Sequence, residues 1–102
     1  MEKIKLLCDF NLIPIGTEVS ISKYIAECVK IFKKHELKIN IHALGSNIEG
    51  DWDTVMLSIK ECHLFLHNEQ NVKRIISSVK LTTRIDREQN IEEKITAVKK
   101  RL

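Results

Sequence analysis

The residues whose types and spacing point most directly to chemistry are 45–52, Gly-Ser-Asn-Ile-Glu-Gly-Asp-Trp. A strand pattern precedes this segment and a helix pattern follows it, so Glu49 and Gly50 are predicted to lie where the strand gives way to the helix. Glycine tolerates backbone angles that other residues resist, and such a junction can approach a ligand closely. Asp51 is predicted to cap the following helix. Spacing alone leaves two interpretations of Glu49 open, a ligand-binding carboxylate or a solvated residue of a capped turn.

A second carboxylate, Asp9, falls in an alternating segment near the N-terminus, and Lys80 and Arg84 supply positive charge. One or two carboxylates among amides and hydroxyls suit a cationic heterocycle that forms hydrogen bonds, so the sequence predicts a site for a small molecule. The uncharged side chains predicted to complete this site are Asn11, Ser46, Asn47, Ser78 and Thr82.

Other kinds of site have weaker support in the sequence. His63 and His67 are four residues apart on a predicted helix, but no third residue has the spacing of a metal ligand. Cys62 and His63 are neighbours, and neighbours on a helix point about 100° apart, which disfavours a nucleophile–base pair. The loop 14–19 has no basic residue for phosphoryl chemistry, and the sheet face where RNA bases would stack has no aromatic residue. We therefore predict no metal, no catalysis and no nucleic-acid partner.

The length of 102 residues predicts one domain spanning residues 1–102. The formal net charge of +3 is mild and is concentrated in residues 99–101, as expected for a solvated helix end. No apolar run is long enough to span a bilayer, and the short apolar stretch after Lys3 and Lys5 does not resemble a secretory signal.

Three cysteines, Cys8, Cys28 and Cys62, are widely spaced, and each falls on an apolar stripe. This pattern predicts buried, unpaired thiols in a reducing compartment, and therefore a cytoplasmic protein. The lack of a long apolar run predicts that it has no membrane partner.

Period-two alternation of apolar residues predicts strands over 4–13, 38–44, 47–49 and 74–82. The third of these is expected to form a hairpin with the second, turning at Gly45-Ser46. Helical spacing predicts one helix with Ser20 as its N-cap, one over 52–68 with Trp52 on its apolar stripe and a left-handed stop at Asn71, and one with Asn90 as its N-cap.

The resulting order, β-α-β-β-α-β-α, predicts an α+β fold: a ferredoxin-like antiparallel sheet with two helices on one side and an extra C-terminal helix. The sheet face turned away from those two helices would carry Leu7, Ile13, Leu44 and Ile76 among polar side chains. This mixture is typical of a subunit interface or of a ligand pocket shared between subunits.

Three segments together resemble the thiamine-binding (YkoF-like) family of small archaeal, bacterial and yeast proteins. Residues 10–16 resemble its F-S-hydrophobic-hydrophobic-P-hydrophobic-G pattern, residues 45–51 its G-T-x-hydrophobic-E-G-D turn, and residues 80–86 its K-hydrophobic-x-T-R-x-D pattern. The sequence departs from these patterns at Asn11, where serine is usual, and at Ser46, where threonine is usual; both keep a hydrogen-bonding side chain.

The resemblance implies a ferredoxin-like fold, assembly into homodimers or homotetramers, and binding of thiamine or its hydroxymethylpyrimidine moiety, with no catalytic activity. A carboxylate such as Glu49 can accept hydrogen bonds from both the ring nitrogen and the amine of an aminopyrimidine when the ring is protonated. The other residues expected to bind the ligand are Asp9, Asn11, Ser46, Asn47, Ser78 and Lys80.

The leading hypothesis is thus a non-enzymatic cytoplasmic homo-oligomer that binds thiamine or its pyrimidine and requires no cofactor. The alternative is a structural or regulatory homo-oligomer that has lost small-molecule binding. An enzyme ranks third, because no base–nucleophile pair is visible in the sequence.

Overall fold

A computed structural model describes residues 3–102. The elements follow the predicted order, and their bounds are β1 Lys5–Ile15, α1 Ser22–Lys34, β2 Lys38–His42, β3 Gly45–Asp51, α2 Trp52–Glu69, β4 Arg74–Thr83 and α3 Ile91–Lys99. None of the helices in the described residues is both long and apolar enough to cross a membrane.

The four strands form one antiparallel sheet in the order β2-β3-β1-β4. This order and the α+β element sequence confirm the predicted ferredoxin-like fold with its added C-terminal helix. Helices α1 and α2 pack on one face, which we call the core face. The opposite face, which we call the open face, is partly covered by α3, whose first residue, Ile91, is buried.

Alternation along β1 separates the two faces. Its even-numbered residues from Leu6 to Leu12 are buried in the cluster formed with α1 and α2, where the rings of Phe10 and Phe32 meet edge to face with centroids 5.4 Å apart. Cys8, Cys28 and Cys62 lie in the same cluster as free thiols, as predicted. Burial raises the pKa of the Cys8 thiol to about 11, so this thiol stays protonated and unreactive at neutral pH.

Two predicted helix caps are confirmed. The Asp51 carboxylate accepts a hydrogen bond from the Thr54 backbone N–H at 3.1 Å, and the Asn90 side chain accepts one from the Glu93 N–H at 2.8 Å. Asn71 adopts the predicted left-handed conformation, with φ of 53°, just after α2 ends.

The predicted cap at Ser20 is wrong. Helix α1 begins at Ser22, and its N-cap, Ile21, makes no side-chain cap. The preceding loop is tied to the first turn by Glu18 instead, whose carboxylate accepts hydrogen bonds from Tyr24 Oη at 2.7 Å and Lys23 Nζ at 2.8 Å. These bonds fix the start of the helix without a cap.

Trp52 also departs from the prediction, since it is 40% exposed rather than part of the core. It is the first residue of α2, and its backbone N–H donates to the carbonyl of Ile4 at 2.7 Å. The apolar stripe of α2 is buried only from Val55 onward.

The β2–β3 hairpin turns at residues 43–44, not at Gly45-Ser46 as predicted. His42 is paired with Gly45, so β3 begins two residues earlier than expected. A Cβ atom on Gly45 would lie 2.7 Å from the carbonyl oxygen of Phe10. Glycine is therefore required at this position for close approach to β1 rather than for the turn.

Candidate functional site

The sheet register gathers most of the predicted ligand-binding residues on the open face. Asp9 lies near the middle of β1, between Asn47 of β3 and Lys80 of β4. In the next rows of the same face, Leu7 lies between Glu49 and Thr82, and Asn11 lies beside Ser78. Side chains two residues apart on a strand share a face, so these polar groups form one surface.

Ser46 does not belong to this surface. It pairs with Phe10 in the register and is buried on the core face. Neighbouring residues of a strand point to opposite faces, so Ser46 and Asn47 cannot line the same side of the sheet. The predicted grouping of these two residues is therefore wrong.

Helix α3 crosses the open face and leaves a cavity of about 270 Å³ against the sheet, which we call the α3 cleft. Its walls combine three apolar side chains with a carboxylate, an amide, a hydroxyl and two ammonium groups. The side chains that give it this character are Leu7, Asp9, Asn47, Lys80, Thr82, Ile91, Lys94 and Ile95. Apolar walls with a few convergent polar groups are the usual composition of a small-molecule site.

Asp9, the carboxylate of the α3 cleft, is oriented by His42. Oδ1 of Asp9 lies 2.7 Å from Nε2 of His42, and Nδ1 of the same ring lies 3.3 Å from the backbone nitrogen of Leu44. Because the Leu44 N–H can only donate, Nδ1 is the acceptor and Nε2 donates its proton to Asp9. The sequence contains no local signal that pairs His42 with Asp9, since 33 residues separate them.

Asn11 supports the same corner of the sheet. Its side-chain amide donates to the carbonyl of Leu44. Both backbone groups of Leu44 are thus hydrogen-bonded, the N–H to His42 and the carbonyl to Asn11. These two bonds hold the turn between β2 and β3. Asn11 lies outside the α3 cleft, so its contact is to the hairpin and not to the cleft.

Glu49 lies inside β3, which continues past it to Asp51 before α2 begins at Trp52, and it is 7% exposed. The interpretation of Glu49 as a solvated residue of a turn is therefore wrong. Its Oε1 accepts the backbone N–H of Ile91 at 2.9 Å, and its Oε2 lies 3.5 Å from Nζ of Lys5. A carboxylate at the N-terminus of a helix satisfies a free N–H group and complements the helix dipole. Both oxygens are used within the chain, and Glu49 anchors the start of α3.

The residues just before α3 strengthen this anchor. Gln89 is buried, and its amide nitrogen donates to the carbonyl of Thr82 at 3.2 Å. Together with Glu49 on β3, this bond connects the start of α3 to both sides of β1. The sequence predicts this helix from its N-cap at Asn90, but it gives no indication that the helix forms a wall of the cleft.

A larger cavity, of about 840 Å³, lies on the core face between α1 and the β2–β3 hairpin. Ser46 is one of its lining residues, and most of the others are apolar, among them Ile25, Val29 and Ile41. Ser78, on the open face, lines neither cavity.

The two histidines of α2 each bond to β4 or to the loop before it. His63 Nε2 lies 2.9 Å from Oγ of Ser77, and His67 Nδ1 lies 2.7 Å from the carbonyl of Val72. Burial, with a smaller contribution from His67, lowers the pKa of His63. Among residues 3–102, no three histidine, cysteine or acidic residues lie close enough to hold a metal ion.

Comparison with known proteins gives a consistent picture. The model of a family described as thiamine-binding protein matches residues 8–99. The UPF0045 protein sll0230 of Synechocystis is 39% identical over 98 residues, covering 96% of this chain and 80% of that protein. The UPF0045 protein MJ1052 of Methanocaldococcus jannaschii is 37% identical over 94 residues, covering 92% of both chains.

Solved structures share the fold. The crystal structure of the Methanocaldococcus jannaschii protein superimposes with a TM-score of 0.85, covering 93% of this chain and 96% of that one. A Thermotoga maritima protein, provisionally assigned to thiamine biosynthesis or salvage, superimposes with a TM-score of 0.76 at 18% identity, covering 92% and 98%. The match of the family model over nearly the whole chain, together with relatives well above 30% identity, shows that this chain belongs to the thiamine-binding protein family.

Proposed function

We propose that the α3 cleft binds thiamine or its hydroxymethylpyrimidine moiety, and that the protein acts by binding rather than by catalysis, without a cofactor. The observation that carries this proposal is the position of Asp9 on the floor of the cleft, between Asn47 and Lys80. Membership of the thiamine-binding protein family supports the choice of ligand.

The lining of the cleft suits an aminopyrimidine ring. The ring presents a nitrogen acceptor beside an exocyclic amine, and Asp9 and Asn47 on adjacent strands offer a carboxylate and an amide side by side. Leu7 and Ile95 supply the apolar surface against which a flat ring packs. Since both oxygens of Glu49 are engaged elsewhere, Asp9 is the carboxylate assigned to the ligand.

The protein is further proposed to work as a cytoplasmic homodimer or homotetramer. Beyond the reach of α3, Ile13 and Ile76 are paired on neighbouring strands of the open face and remain 45% and 46% exposed. Burying paired apolar residues of this kind is what a second copy of the chain would do. The free, buried cysteines fit a reducing compartment.

Calorimetric titration with thiamine and with hydroxymethylpyrimidine tests the binding proposal. We expect Asp9→Asn to weaken binding by about tenfold to a hundredfold, because a charge-assisted hydrogen bond contributes roughly 1.5–3 kcal/mol. The matched control is Asp53→Asn, which removes an exposed carboxylate from α2 on the other side of the sheet. Equal affinities for wild type and Asp9→Asn would remove Asp9 from the site. Absence of binding at millimolar ligand would leave the alternative, a structural or regulatory homo-oligomer.

A further inference from the structure

Two lysines line the α3 cleft, one from each wall. Lys80 stands on β4 directly opposite Asp9 in the sheet register, and Lys94 stands on α3. Among the ion pairs formed by residues 3–102, none includes either lysine. Asp9, the one carboxylate of the cleft, is bonded to His42 instead.

Neighbouring lysines of the open face behave differently. Lys5 pairs with Glu49 at 3.5 Å, and Lys38 pairs with Glu92 at 3.7 Å. The lysines that border the cleft thus have acidic partners, and the two that line it have none. The cleft therefore carries a local excess of positive charge.

A positively charged wall of this kind attracts an anionic group, while Asp9 remains available to the heterocycle. The cleft suits a ligand that joins a heterocycle to an anionic group. A phosphate monoester carries about −1.5 to −2 charges at neutral pH and three acceptor oxygens, and lysine binds phosphate as a point charge. The N-terminus of α3, an alternative place for an anion, is already occupied by the carboxylate of Glu49.

We propose that Lys80 and Lys94 form an anion subsite in the α3 cleft, and that the preferred ligand is a phosphate ester of the heterocycle rather than the free alcohol. This inference rests on the proposed function for the heterocycle itself. In this arrangement the ring lies against Leu7 and Ile95, near Asp9, and the phosphate lies between the two ammonium groups.

Calorimetry at low salt, with two matched ligand pairs, tests the subsite: thiamine with thiamine monophosphate, and hydroxymethylpyrimidine with its phosphate. In the wild type we expect the phosphorylated member of a pair to bind about tenfold more tightly, the change that one charge-assisted hydrogen bond gives. The double variant Lys80→Gln/Lys94→Gln should abolish this advantage, so that the two members of each pair bind with affinities within about twofold of one another.

The control is Lys60→Gln/Lys73→Gln, which removes the same charge from α2 and from the residue before β4, both outside the cleft. It should retain the phosphate advantage. If this control also lost its preference for phosphorylated ligands, the preference would depend on net charge alone, and the proposed subsite would be overturned. Equal binding of phosphorylated and free ligands to wild type would also overturn it, while leaving the proposed function intact.

Titration with inorganic phosphate separates the two proposals. If the wild type binds no heterocycle but binds phosphate, and the Lys80→Gln/Lys94→Gln variant does not, the subsite stands and the thiamine proposal fails. If wild type binds neither phosphate nor any of the four heterocycles, both fail. Both lysines are exposed, so the double variant is expected to keep its circular-dichroism spectrum and melting temperature.

Discussion

At the scale of single residues, Glu49 and Asp9 differ most from what their sequence context indicates. Glu49 stands before a glycine, in a segment typical of a ligand-binding turn, yet β3 continues through it and its carboxylate binds the first turn of α3. Asp9 stands in an ordinary alternating strand, yet it lies on the floor of the cleft. Whether a carboxylate lines the cleft or binds a helix depends on what packs over it, and no local sequence pattern encodes that packing.

The anchoring role of Glu49 gives a prediction about the start of α3. Glu49→Ala removes the acceptor of the Ile91 N–H in a buried position, which costs roughly 1–3 kcal/mol. Glu49→Gln keeps an acceptor of the same length and should cost less. Amide hydrogen exchange over 89–95 should therefore accelerate strongly in the alanine variant and weakly in the glutamine variant. Equal protection in wild type and Glu49→Ala would show that Glu49 does not hold the helix.

Ser46 and Asn47 show what the sequence leaves open about the two faces of β3. A turn at Gly45-Ser46 leaves the phase of β3 undefined, so the sequence does not tell which of Ser46 and Asn47 shares a face with Asp9. The true turn at residues 43–44 fixes that phase, because each one-residue shift sends every side chain to the other face. Asn47 therefore lies on the open face with Asp9, and Ser46 lies on the core face with Phe10.

At the scale of elements, the strands and helices were predictable because local periodicity encodes them. The alternation of β1 and the caps at Asp51 and Asn90 correspond to what the structure has. The position of α3 was not predictable, because an apolar stripe shows that a helix packs but not where. The cleft, which needs both α3 and the sheet, could therefore not be predicted as a whole.

The loop before α1 provides a test at the same scale, through acid. Two hydrogen bonds to the Glu18 carboxylate, the stronger influence from Lys23 and the weaker from Tyr24, lower its pKa from the ordinary value of 4.5 to about 2. A carboxyl group whose pKa is lower in the folded than in the unfolded protein stabilises the fold at pH values above its ordinary pKa. This stabilisation is lost as the pH falls toward 2. The free energy of unfolding should therefore fall in acid between pH 4.5 and 2, and less steeply in Glu18→Gln than in wild type.

Urea unfolding at a series of acidic pH values measures this difference. The effect is expected to be small, since Glu18 is exposed and solvent screens its ion pair. Glu88→Gln is the matched control, because it removes an exposed carboxylate for which the structure gives no ion pair among residues 3–102. A pH dependence of Glu18→Gln that coincides with that of Glu88→Gln and of wild type would contradict the role given to the loop.

At the scale of the whole molecule, the helices cover the two faces of the sheet unequally. The molecule is flat, with extents of 42 × 40 × 20 Å. Two helices cover the core face, while the short α3 covers only one end of the open face. At the other end Ile13 and Ile76 remain about half exposed, and Leu44 in the hairpin turn is 81% exposed. A flat molecule with one half-covered apolar face is suited to association with a second copy.

The proposed association predicts a dimer or tetramer at micromolar concentration, measured by light scattering or sedimentation. Ile76→Glu places a charge in the middle of the uncovered patch, next to Ile13, and burying an unpaired charge is strongly unfavourable. This variant should shift the protein toward the monomer. Ile85→Glu is the matched control, because Ile85 is fully exposed in the segment after β4 and off the sheet. A wild type with the mass of one chain would exclude the oligomer, and equal dissociation by both variants would place the interface elsewhere.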